Sequence, residues 1–110
     1  MTDARLVLST VDSQAAATAL ATGLVEDHLA ACVTIVPGSQ SIYRWQGAVE
    51  STEEWLLLIK TTAANVPLLL AALADRHPYD VPEGLVLDVA SGLPDYLSWL
   101  AESVGSAASK

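Results

Sequence analysis

The order in which apolar periodicity switches along this chain constrains its fold most. Arg5 to Ser9 (RLVLS) reads as a short strand. Thr10, Asp12 and Ser13 then offer N-cap side chains to an alanine-rich stretch ending near His28. Ala16, Ala17, Leu20, Leu24 and Val25 recur there at spacings of three and four, so one helix face is apolar. β-Branched residues return in Ala31 to Val36 (ACVTIV), and Pro37-Gly38 predicts a bend or bulge in that strand. SIYRWQGAVE, from Ser41, predicts a hairpin turning at Gln46-Gly47. Tyr43 and Trp45 fall on one side of it, and Ile42, Arg44 and Gln46 on the other. Trp55 to Ile59 (WLLLI) is apolar at every position, as in a strand covered on both faces. A second helix is expected over about Ala63 to Arg76, with Pro67 in its first turn and Val66, Leu69, Leu70 and Leu73 as its buried stripe. Leu85 to Val89 reads as a fourth strand. Gly92-Leu93-Pro94-Asp95 opens a short terminal helix carrying Tyr96, Leu97, Trp99 and Leu100.

This β-α-β-β-α-β order, with right-handed crossovers, predicts an α+β, ferredoxin-like sandwich with an extended hairpin between its second and third strands and a C-terminal helix. No repeat or linker divides the chain, so residues 1–110 are expected to form one domain, with a core over about 4–104 and a frayed tail at 105–110. Two helices cover only one sheet face, and the other needs a cover. A domain of this size buries about two-thirds of its unfolded surface, yet 52% of the residues are apolar and the mean hydropathy is +0.39. Self-association is the expected outcome.

Thirteen acidic residues against five basic ones set a net charge of −8. That field repels phosphate backbones, so nucleic acid is not an expected partner, whereas a cation is compatible. The single cysteine permits no intrachain disulfide. MTDARLVLST lacks the pattern of a signal peptide, and VPLLLAALA is about half the length a membrane span needs. A cytoplasmic location without membrane contact is expected.

Functional side chains concentrate in HPYDVPEG, residues 77–84. A closed zinc site is not expected, since neither CxxC nor HxxxH occurs. A weaker surface or intersubunit site for copper(II) or another divalent cation has candidate ligands in His77, Glu83 and Cys32, with Asp80 beside them. The same residues have a structural reading. Pro78 forces His77 out of helical geometry, and an imidazole suits a helix C-terminus. Cys32, in an apolar strand, reads equally as core. No nucleophile elbow or phosphate-cradling glycine pattern occurs, and no enzymatic activity is expected. Tyr43 and Trp45 read either as anchors for a neighbouring chain or as packing on their own sheet.

LAACVTIVPGSQSIYRWQG at 29–47, LLLIKT at 57–62, HPYDVPE at 77–83 and PDYLSW at 94–99 together resemble the CutA divalent-cation-tolerance family. The resemblance implies a homotrimer, similar to trimeric nitrogen-regulatory signalling proteins, in which the long hairpin reaches across to a neighbouring subunit. It implies a role in tolerance of copper and other divalent cations, with any metal or small ligand held in clefts between subunits. Carried over by position, Tyr43, Trp45, Lys60, Tyr79, Glu83, Tyr96 and Trp99 are the implied cleft residues, and His77, Glu83 and Cys32 the implied metal contacts. The alternative implied role is a trimeric scaffold or signalling module without metal. Thr34 stands where the family commonly has Asn, and Ala48 where Lys is frequent.

Overall fold

A computed structural model of the chain describes residues 1–105. The elements follow the expected order: β1 (Ala4–Val11), α1 (Gln14–Glu26), β2 (Cys32–Trp45), β3 (Ala48–Thr62), α2 (Val66–Arg76), β4 (Leu85–Asp88) and α3 (Pro94–Ser103). All pairings are antiparallel, in the order β2-β3-β1-β4. This is the ferredoxin-like arrangement, with the first strand in the centre.

Local chemistry sets the helix limits. Ser13 caps α1, its Oγ accepting from Ala16 N–H at 3.1 Å. That helix stops at Glu26 rather than at His28, because His28 takes a left-handed conformation (φ 59°) beyond the Asp27 cap. α2 begins after a single 3-10 turn over Ala63–Asn65, with Pro67 in its first turn as expected. Arg76 at its end pairs with Asp27 at 2.6 Å and ties the two helices together. The tail expected to fray from 105 falls outside the described residues except for Gly105. That residue is held: its N–H donates to His28 O at 2.7 Å, and its carbonyl accepts from Asn65 Nδ2 at 2.7 Å.

The core lies between α1, α2 and one sheet face. Val7 and Val11 of β1, Leu57 and Ile59 of β3, Leu20 and Leu24 of α1, and Leu69 and Leu73 of α2 meet there. Of the stripe expected on α2, Leu69 and Leu73 are buried, while Val66 and Leu70 are half-buried. A smaller cluster seats Leu100 of α3 on Ala4 and Ala31.

Residues directly opposite each other in the register share a face. The face away from α1 and α2 therefore carries Leu6, Leu8, Leu56, Leu58, Leu85 and Leu87. Leu85 and Leu87 are 58% and 43% exposed. Among the described residues, α3 reaches this face at one end, and Tyr79 of the 77–84 corner reaches it at Glu54. The expectation of an uncovered apolar face holds.

The Pro37-Gly38 irregularity is a one-residue bulge inside a continuous β2. Val36 pairs with Leu56, but Ser39 pairs with Glu54, so three steps along β2 match two along β3. Gly38, at φ 73°, supplies the left-handed turn. The extra residue inverts the facing of everything beyond it. Before the bulge, Cys32, Thr34 and Val36 share the open face. After it, Ser39, Ser41, Tyr43 and Trp45 do. The hairpin then closes at Gln46-Gly47, both with positive φ (49° and 83°), as the primed two-residue turn requires.

Candidate functional site

The 77–84 corner starts as a helix stop. His77 leaves α2 with extended backbone (ψ 138°) because Pro78 follows, while its N–H still reaches Leu73 O at 2.9 Å. The ring turns inward and is buried. Tyr79 N–H lies 3.1 Å from Nδ1 and Thr10 O lies 2.8 Å from Nε2. A backbone N–H only donates and a carbonyl only accepts. These partners select the tautomer in which Nδ1 accepts and Nε2–H donates. Both ring nitrogens are thus occupied within the chain, and neither presents a lone pair to an ion.

Tyr79 extends this anchoring to β3. Its ring meets the His77 ring edge-on, with centroids 4.7 Å apart, and its hydroxyl donates to Glu54 Oε2 at 2.7 Å. Glu54 is buried, 6% exposed. Burial, then the bond to Glu54 and its negative charge, and further the charge of Asp12, push the Tyr79 phenol well above its ordinary pKa. The phenol acts as a fixed donor.

In front of Tyr79 and Glu54 lies an open groove of about 800 Å³ between the base of the hairpin arm and the 79–83 loop. Asp12, Glu54, Asp80 and Glu83 contribute four carboxylates to it, and Tyr43, Trp45 and Tyr79 contribute aromatic rings. Among the described residues, no basic side chain lines it. The two-residue turn sets Trp45 opposite Ala48 and Tyr43 opposite Glu50, which puts both rings on the face that Glu54 occupies, and the bulge reconciles this register with that of Cys32, Thr34 and Val36. Tyr43 is held there by a 2.9 Å hydrogen bond between its hydroxyl and Thr52 Oγ1.

Four of the expected cleft residues therefore meet in one groove: Tyr43, Trp45, Tyr79 and Glu83. The others lie elsewhere. Lys60 sits six residues along β3 from Glu54, about 20 Å away at strand rise. There its Nζ donates to Thr34 Oγ1 at 2.6 Å and stands 3.8 Å from Cys32 Sγ. Tyr96 and Trp99 stack on each other on α3, with centroids 5.5 Å apart, and do not line the groove. His77, Glu83 and Cys32 are not brought together. Among the described residues, no group of three or more His, Cys, Asp or Glu is placed to hold an ion. Within one chain the three stand apart: both His77 nitrogens have partners, and Cys32 pairs in register with Lys60, beyond the bulge from the groove.

Two groove residues escaped the sequence reading. Asp12 was legible only as one of several N-cap candidates. Glu54 sits in a run of acids, STEE, and nothing in that run marks the one that is buried. Its signal lies in the register, since Glu54 continues the open-face alternation of Leu56 and Leu58.

The profile of the family described as CutA1 divalent ion tolerance protein matches residues 5–103. The divalent-cation tolerance protein CutA of Thermus thermophilus is 51% identical over 100 residues, covering 91% of this chain and 97% of that protein. Among solved structures, CutA from Xylella fastidiosa superposes with a TM-score of 0.92 at 42% identity, covering 94% of this chain and all of that one. A protein from Archaeoglobus fulgidus described as the periplasmic divalent cation tolerance protein CutA has a TM-score of 0.89 at 28% identity, covering 93% and 99%.

Proposed function

Because the chain belongs to the CutA1 divalent ion tolerance family, we propose that it serves divalent-cation tolerance as a homotrimer whose acidic grooves are completed by neighbouring subunits. Each groove would hold a divalent cation weakly, copper(II) foremost, or a small ligand. One observation carries this reading: four carboxylates and three aromatic rings line a single open groove without a compensating base. Oxygen donors of this kind bind divalent ions through charge, and a partner subunit would supply the donors that one chain lacks. The apolar open face supports the assembly. The proposed location is the cytoplasm, supported by a lone cysteine with no partner for a disulfide. The proposed role is not enzymatic, since the imidazole nearest the groove has both nitrogens tied to the backbone.

Copper(II) titration calorimetry tests the site. Asp80→Asn combined with Glu83→Gln is expected to remove most of the heat that the unaltered protein gives, while Cys32→Ser leaves it unchanged. Full binding by the carboxylate double variant would overturn the groove as the metal site.

A second reading, a trimeric scaffold or signalling module without metal, is favoured by the saturation of His77. It expects no copper heat in any variant and an oligomeric mass that chelators do not change.

A further inference from the structure

Arg44 stands on the arm with its charge uncompensated. Arg5 pairs with Asp88 at 3.0 Å and Arg76 with Asp27 at 2.6 Å, but Arg44 has no acidic partner within ion-pair distance among the described residues. It lies opposite Val49 in the register, with Ile42 two residues away on the same face. Those two apolar neighbours are 66% and 68% exposed. The groove shows the reverse imbalance, four carboxylates and no base. Arg44 does not line the groove of its own chain, although Ile42, Tyr43 and Trp45 beside it do. Strand alternation turns it away from the face of Tyr43 and Trp45.

We propose that Arg44 of one subunit docks into the acidic groove of the next, so that the partner copy contributes the missing cation. The planar guanidinium pairs with the exposed carboxylates of Asp12 and Asp80 and with half-buried Glu83, and the rings of Tyr43 and Trp45 offer it aromatic faces. Ile42 and Val49 lose their exposure around it, as apolar residues do in the core of an interface. Donor and acceptor surfaces differ, so the contact is heterologous and passes from subunit to subunit around a closed ring. This rests on the homo-oligomeric reading above in its metal-free form, since Asp80 and Glu83 cannot serve a guanidinium and a divalent cation at once.

The test is sedimentation of the full chain at rising salt. Arg44→Gln is expected to weaken assembly by about tenfold or more and to remove most of its salt dependence. Arg44→Glu is expected to weaken it further. Adding Asp12→Lys, Asp80→Lys and Glu83→Lys to Arg44→Glu in one chain reverses the charge of each proposed pair and is expected to restore the mass. A wild-type monomer under all conditions would sink the oligomeric reading itself. A wild-type oligomer whose mass and salt dependence survive Arg44→Gln would overturn the docking of Arg44 alone. So would a charge-swapped chain that stays as weak as Arg44→Glu.

Discussion

Tyr79 and His77 anchor the corner by hydrogen bonds that point inward, and each bond has a measurable consequence. The native state keeps the Tyr79 phenol protonated where the unfolded chain releases it. Unfolded tyrosine loses its proton near pH 10, so above that pH the native state binds the extra proton and stability falls as pH rises. The contribution is fully present below about pH 10. Tyr79→Phe is expected to flatten the loss of thermal stability at alkaline pH. At neutral pH the same change leaves buried Glu54 without its donor and is expected to cost about 1–3 kcal/mol. Thermal melts of both proteins across the alkaline range check the two effects together, and a parallel decline in both would refute the first. At this scale the sequence was only partly legible. Pro78 announced that His77 ends a helix. Which atoms its ring would meet was not announced, because Thr10 lies 67 residues away in sequence.

The arm depends on two glycines that work through backbone alone. Gly38 and Gly47 both hold positive φ, and a Cβ at either would meet nothing within 4 Å. Any loss on substitution is therefore conformational. Gly38→Val and Gly47→Val are each expected to lower stability by about 1–2 kcal/mol, and Gly47→Asn by less, since Asn tolerates this region. Chemical denaturation of the three variants measures the difference. Equal cost for Asn and Val at position 47 would count against a purely backbone origin. The sequence marked both positions, as Pro-Gly and Gln-Gly. It did not say how many residues the first irregularity inserts, and the facing of Tyr43 and Trp45 relative to Cys32 and Thr34 turns on that count. A strand's pattern is read from alternation, and one unpaired residue resets the alternation without changing composition.

For the molecule as a whole, the two sheet faces separate stability from assembly. Leu69, on the inner face of α2, is fully buried, and Leu69→Ala is expected to cost about 2–5 kcal/mol. Leu58, on the open face, is half-buried. Leu58→Glu is expected to lower the oligomeric mass while leaving the circular dichroism spectrum intact. An unchanged mass by sedimentation would mean that the face has no partner in solution. The element order was legible because each segment's period is local, whereas no local period says what covers an open face. The sheet order also has a consequence for synthesis. β1 leaves the ribosome first but lies in the middle of the sheet, between β3 and β4. Its register partner for Ala4 is Thr62, and for Arg5 also Asp88. The nascent first strand and α1 therefore wait, unpaired, until the β2–β3 hairpin has emerged and can receive them. The last sheet bonds form only when β4 arrives. A chain that stalls before β3 presents Leu6 and Leu8 with no sheet to enter, and such a fragment is a natural substrate for chaperones.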